Sequence, residues 1–283
     1  MTDQATKPEP GGRSLKASVL VGLLLGGAFL ASILIYDPIF MVLASLAAGS
    51  GAWELSTALR TQGWHVPRIP AVVGSVLIMP VTYFFGPQAQ WLCALATVAS
   101  LIVWRIGQVL FDSHARSRHW TQTLQDFAAA AFLVIYLPLM TSFSVLILRM
   151  HNGGLWVVTY VTTVAMVDTF GYLVGRRLGK HKIAPGVSPK KSLEGLIGSI
   201  FGGTAAAVIG CLALGKPLWF AAVFAGAMIL AAVFGDLAES LIKRDLGVKD
   251  MSSWLPGHGG VMDRMDSILP ATLLAYLLIS LPI

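Results

Sequence analysis

The chain has 283 residues, 55% of them hydrophobic and only 12% charged, against about 25% charged in an average soluble domain. Its mean hydropathy is +0.73. These values exclude a disordered chain, a coiled coil and an ordinary cytosolic enzyme, and leave an integral membrane protein. The net charge of +6 comes from 20 basic and 14 acidic residues, so the first question is which side of a membrane they occupy.

Residues 1–16 are expected to be a disordered cytoplasmic tail. Nine apolar stretches follow, at about 17–36, 38–59, 69–86, 89–111, 126–148, 154–175, 193–214, 217–241 and 266–282. Each is close to the roughly 20 residues a helix needs to cross the hydrocarbon core. No period-two alternation points to a β-barrel. The expected fold is therefore all-α, a polytopic helical bundle forming one membrane domain. N-terminal transmembrane helices fill 17–150, and a catalytic transmembrane region with cytoplasmic loops fills 151–283. The first stretch reads as an uncleaved helix, since no clean cleavage site follows it. Cys93 and Cys211 each sit inside an apolar run and read as small buried hydrophobes.

Basic residues set the expected orientation. The tail and the regions after spans two, four, six and eight hold 18 of the 20 Lys and Arg, leaving Arg149 and Lys216 on the other side. An odd number of spans with a cytoplasmic N-terminus satisfies this asymmetry.

Eight of the 14 acids lie after position 160: Asp168, Glu194, Asp236, Glu239, Asp245, Asp250, Asp263 and Asp266. Asp168 falls inside span six, and Asp236 and Glu239 inside span eight. A charge at the bilayer centre costs roughly 2.5–3.5 kcal/mol on insertion scales, so such acids face a cavity, a partner or a metal. At a rise of about 1.5 Å per residue, Asp168 and Asp236 lie roughly 8–10 Å below the cytoplasmic interface. Asp263 and Asp266 precede span nine and share a face if that helix starts early. Acids from three helices thus converge at one depth. Asp236, Glu239, Ser240 and Lys243 share one helix face by their spacing. The alternative for them is an internal ion-pair network, such as Glu239 with Lys243.

Two basic loops flank these acids. In 175–195, Ser188 is placed to N-cap a helix with Pro189 at its first position. Lys190 and Lys191 then stand in a first turn, where cations oppose the helix dipole unless an anion joins them. A solvated positive-inside loop is the alternative. Glu194 near a helix start either contributes to a site or complements the dipole. Gly171, Gly175 and Gly179 recur every four residues and read as helix packing. In 243–266, glycines around His258 let backbone N–H groups face an anion. Lys243 and Arg264 can neutralise phosphate, and Asp263 with Asp266 can bind a hard cation. Together these features describe a metal-plus-phosphate site, suited to phosphoryl or nucleotidyl transfer.

Residues 240–266 carry Ser240-Leu-Ile-Lys243-Arg244, Lys249-Asp250 and Leu255-Pro256-Gly257-His258-Gly259-Gly260-Val261-Met262-Asp263-Arg264-Met265-Asp266. This stretch of 27 positions resembles the signature of the phosphatidate cytidylyltransferases, also called CDP-diacylglycerol synthases. A second block is similar to the family's other stretch: Asp168-Thr-Phe-Gly-Tyr172, Gly175-Arg176, Gly179 and Ser188-Pro189-Lys190-Lys191-Ser192-Leu-Glu194-Gly195. Gly171 and Ser192 depart mildly from it, standing where Ala and Thr are common. Trp53-Glu54 in span two also looks like a family feature.

The resemblance implies a reaction in which CTP and phosphatidic acid give CDP-diacylglycerol and pyrophosphate, with Mg²⁺ required and a second cation able to share the acidic cluster. It also implies a helical membrane enzyme, often a homodimer, in the cell membrane. Under it, Asp236 and Asp263 bind Mg²⁺, with Asp168, Glu239 and Asp266 around them. Lys190, Lys191, Lys243 and Arg264 hold CTP phosphates. Ser188, Ser240, Gly259, Gly260 and His258 orient phosphate or a ligand, and Arg244 and Lys249 face the lipid phosphate or anionic headgroups. His258 is alternatively a turn residue. A CTP-dependent polyprenol or phytol kinase would use similar acids and loops but release CDP. An ion-coupled transporter fits poorly, because its site would lie near the midplane.

Overall fold

Leu, Ala, Val and Ile fill the apolar stretches, and a backbone surrounded by lipid must satisfy its polar groups within its own helix. A computed structural model describes residues 15–111, 120–184, 188–252, 254 and 259–281. Its helices are α1 (Leu15–Ile35), α2 (Asp37–Thr61), α3 (Arg68–Phe85), α4 (Pro87–Phe111) and α5 (Trp120–Leu148). There follow α6 (Gly153–Leu178), α7 (Leu193–Ala213), α8 (Leu218–Asp245), the single turn α9 (Met262–Met265) and α10 (Ile268–Ser280). Among the described residues, seven helices are long and apolar enough to cross a membrane, α2 through α8. The chain is a multi-pass membrane protein, with a helix at each position where the sequence predicts one. The tail before residue 15 lies outside the described residues.

Two local structures depart from expectation. Residues Lys182–Ala184 (β1) and Ser188–Ser192 (β2) form an antiparallel pair, with Lys182 opposite Ser192. Ser188 therefore does not cap a helix, and Pro189 lies in a strand. Pairing with β1 holds this stretch extended for one turn longer than local capping rules predict. The N-cap of α7 is Ser192, whose Oγ accepts the Gly195 N–H at 3.2 Å. The last span is the second departure. It begins at Ile268, so Asp263 belongs to α9 and Asp266 to the link between α9 and α10. Helical backbone angles nevertheless run on through Asp266 and Ser267, so the two acids keep their three-residue spacing on helical backbone.

The closest helix pair is α6 with α7. Gly195, Gly198 and Gly202 of α7 lie against Gly171, Val174 and Phe170 of α6. A Cβ at Gly198 would stand 2.7 Å from the Phe170 carbonyl oxygen. Small residues allow this approach, which is how helices associate where no hydrophobic effect separates lipid from protein. The expected packing role of Gly171 and Gly175 is met, since both lie beside Gly195. The α6–α8 side closes with Trp156 against Phe220 and Phe224, at ring-centroid distances of 6.0 and 5.8 Å.

In α5, residues Ile135–Leu139 form a π-helical turn around Pro138. The proline has no N–H to give, and the wider turn accommodates its ring. Both cysteines are free, with Cys211 buried in the core. Arg105 of α4 is buried in an ion pair with Asp126 of α5, its Nε 2.9 Å and Nη2 2.8 Å from Oδ2. The other carboxylate oxygen accepts the His65 N–H at 2.7 Å, which ties in the link between α2 and α3. Removing one member of such a pair leaves the other charge buried without its counter-ion. Asp126→Ala is expected to destabilise the folded protein by about 3–5 kcal/mol, read as a lower unfolding midpoint in detergent.

Candidate active site

The later parts of α6 and α8, the start of α7 and the segment from α9 to α10 surround a cavity of about 550 Å³. Asp168, Asp236, Asp263 and Asp266 line it, as do Lys191, Lys243, Arg264, Ser188, Ser192 and Ser267. The volume is that of an ordinary small-molecule site. Four acids and three bases in one lining are what sets it apart from a helix crevice.

The lysines organise the acids. Lys243 projects one turn beyond Glu239 on α8, and its Nζ lies 2.6 Å from Glu239 Oε2 and 2.7 Å from Asp263 Oδ1. Lys191, delivered by β2, places Nζ 2.7 Å from Asp236 Oδ2. The i, i+4 spacing predicts the Glu239–Lys243 pair. Its extension to Asp263 is tertiary. Ser240 Oγ reaches Asp236 at 3.4 Å. Across the cavity, Ser267 Oγ lies 3.5 Å from Asp168 Oδ1, and the Ser267 N–H donates to Asp266 Oδ1 at 2.7 Å.

Asp263 is the most thoroughly held of these acids. It accepts the Gly260 N–H at 2.6 Å and the Met251 N–H at 3.1 Å. Burial pushes its carboxyl pKa up, but the Lys243 ammonium and these N–H groups outweigh burial and hold it below the ordinary carboxylate range. Gly259 adopts φ +81°, and a Cβ there would lie 2.5 Å from Asp263 Oδ2. The glycines before Asp263 thus admit the carboxylate to their own backbone.

The predicted residues divide by position. Asp168, Asp236, Asp263, Asp266, Lys191, Lys243, Arg264 and Ser188 face the one cavity. Glu239 lies buried beneath Lys243, and Gly259 and Gly260 form the buried backbone behind Asp263. Arg244 and Lys249 are exposed and outside the lining. His258 and the Lys190 side chain lie outside the described residues. Glu194 stands in the first turn of α7, where it accepts the Lys180 N–H at 3.0 Å and meets the His181 ring at 2.7 Å. It therefore fastens the hairpin to the helix. Sequence reasoning passed over Ser192, Ser199 and Ser267 in the lining and gave Glu54 no role. Glu54 is buried and bonded to the segment before α9. The available signal was an acid in an otherwise apolar span, the same cue that marks Asp168.

Comparison with known proteins agrees along the whole chain. The profile of the cytidylyltransferase family matches residues 16–281. The chain is 35% identical over 285 residues to a phosphatidate cytidylyltransferase of Mycobacterium bovis, covering 98% of this chain and 92% of the relative. It is 30% identical over 283 residues to the phosphatidate cytidylyltransferase of Haemophilus influenzae, covering 91% and 96%. With that of Staphylococcus aureus it shares 29% identity over 261 residues, covering 90% and 95%.

Gly259→Ala is expected to cost about 1–3 kcal/mol of stability through backbone strain and to displace the Asp263 carboxylate. Denaturation in detergent measures the first effect. Loss of the Gly260 N–H hydrogen bond, read by amide exchange, measures the second.

Proposed function

The chain belongs to the cytidylyltransferase family, and we infer that it carries out the phosphatidate cytidylyltransferase reaction in phospholipid biosynthesis. A phosphate oxygen of phosphatidic acid forms a bond to the α-phosphorus of CTP. The bond from that phosphorus to the bridging oxygen breaks, and pyrophosphate leaves with the electron pair. The lipid product is CDP-diacylglycerol. The observation that carries this reading is the alternation of acids and bases around one cavity among membrane helices.

The attacking phosphate is already anionic near neutral pH, so the site needs no strong general base. Its task is to bring two anions together and to stabilise the charge that grows on the leaving group. In this reading Lys190, Lys191, Lys243 and Arg264 hold the CTP phosphates. Ser188, Ser240 and His258 orient them, and the Gly259–Gly260 backbone acts through Asp263, to which the Gly260 N–H donates. Arg244 and Lys249, exposed and outside the cavity lining, attract the lipid phosphate and anionic headgroups.

Mg²⁺ belongs to the same reading, and the side chains fit it. Asp168, Asp236, Asp263 and Asp266 are hard oxygen donors around the cavity. Behind them, the buried Glu239 Oε1 has no hydrogen-bond donor, and its carboxylate faces that of Asp266. Two facing carboxylates call for a cation or a proton between them. Among the described residues no three acids form a ready-made ligand set. That suits an ion held by one or two carboxylates together with substrate phosphates. Asp236 and Asp263 would hold it, with Asp168, Glu239 and Asp266 around them. When bound, Mg²⁺ supplies Lewis-acid polarisation of the phosphoryl group and neutralises the departing pyrophosphate.

We place the N-terminus and the cavity mouth on the cytoplasmic side of the cell membrane. The concentration of Lys and Arg in alternate loops supports this. A homodimer is part of the proposal. Ile197, Phe201 and Ile209 stand exposed on α7, on a surface that lipid or a second copy would cover.

Detergent-purified protein given phosphatidic acid, CTP and Mg²⁺ is expected to release pyrophosphate and form CDP-diacylglycerol, identified by mass, only when all three are present. CDP release with a polyprenol and no CDP-lipid would replace this reading with a lipid kinase. Asp263→Asn is expected to lower turnover by on the order of 100-fold in protein that still inserts and purifies; near-normal turnover would remove Asp263 from the site. Lys243→Ala is expected to raise the KM for CTP by about tenfold or more, through loss of a charge-assisted contact. An unchanged CTP dependence would exclude that role.

A further inference from the structure

Glu54 lies in α2, far along the chain from the segment that carries Asp263 and Arg264, and is 1% exposed. Its carboxylate binds that segment directly. Oε1 accepts the Ser252 hydroxyl at 2.6 Å and the Val261 N–H at 3.0 Å, and Oε2 accepts the Met262 N–H at 2.9 Å. Val261 and Met262 open α9, whose next two residues are Asp263 and Arg264. Among the described residues its partners are two backbone N–H groups and one hydroxyl, all of them donors to the buried carboxylate.

A second observation fixes the fit from the other side. A Cβ on Gly260 would stand 2.6 Å from Glu54 Oε2 and 2.8 Å from its Cδ. The carboxylate therefore sits in the space that a side chain at Gly260 would fill. The Gly260 N–H meanwhile donates to Asp263. One short backbone stretch is thus gripped by two carboxylates, Glu54 through residues 261 and 262 and Asp263 through residues 251 and 260.

Burying an anion here is costly compared with an amide or an aliphatic side chain of the same length. What the anion brings is two acceptor oxygens and no donor. Two successive backbone N–H groups point at it, one to each oxygen. A glutamine would turn its own NH₂ toward one of them. We propose that Glu54 is a positioning residue for the transfer reaction, fixing where α9 projects Asp263 and Arg264 into the cavity. The proposal rests on the functional reading above. It also gives the N-terminal half of the chain a part in the site.

The test uses the full-length protein in detergent and the isosteric variant Glu54→Gln. Turnover is expected to fall by about 10–100-fold, with the KM values for CTP and phosphatidic acid within about twofold of wild type. Amide hydrogen exchange is expected to quicken at Val261 and Met262 while α6 and α7 stay protected. Gly260→Ala supplies the coupling test: it is expected to impair the wild-type protein but to cost little more in a Glu54→Ala background. A folded Glu54→Gln protein with wild-type turnover would overturn the proposal. So would a loss of activity that only tracks the unfolded fraction, with exchange at the two amides unchanged. If wild-type protein forms no CDP-diacylglycerol, the functional reading falls, and unchanged exchange would still separately exclude Glu54 as the holder of α9.

Discussion

Charge within a membrane protein must find its counter-charge nearby, because neither lipid nor a helical core will solvate it. This constraint arranges much of the molecule. Lys243 neutralises Glu239 and Asp263 together, Lys191 covers Asp236, and Arg105 is locked to Asp126. Each pair joins different segments of chain or different turns of one helix, so satisfying the charges also sets how the segments meet. In the cavity, acids and bases accumulate faster than they cancel. Four carboxylates face three cations there, and Glu239 keeps an oxygen without a donor.

The same constraint explains why so much could be read without coordinates. Acids are rare in apolar spans, so Asp168, Asp236 and Glu239 stood out, and helical periodicity placed Glu239 and Lys243 together. The glycine spacing around Gly171 and Gly175 forecast a close helix contact. What stayed hidden is non-local. Ser188 satisfies every local rule for an N-cap, yet strand pairing with β1 moves the cap to Ser192. Asp263 and Asp266 have helical spacing, and helical backbone angles do run through both, but the regular helix α10 begins only at Ile268. Arg105 counted as one more basic residue on the positive side, whereas it is buried against Asp126. The partners of Glu54 lie some two hundred positions away, and nothing in one sequence pairs them.

The site thus draws on both halves of the chain. The later helices supply the side chains that face the cavity. The earlier ones supply support: α2 contributes Glu54, which accepts the Val261 and Met262 N–H groups. Kinship with the cytidylyltransferases extends over residues 16–281, which accords with support and chemistry being parts of one unit.

The contact between α6 and α7 has a mechanical consequence. Where glycines bring two helix backbones together, few side-chain rotamers remain between them to take up movement. That wall of the cavity is a stiff jaw. The segment that carries α9 is held instead by hydrogen bonds to two buried carboxylates, Glu54 and Asp263. A molecule entering the cavity therefore meets one surface fixed by helix-to-helix contact and another fixed by hydrogen bonds to two carboxylates.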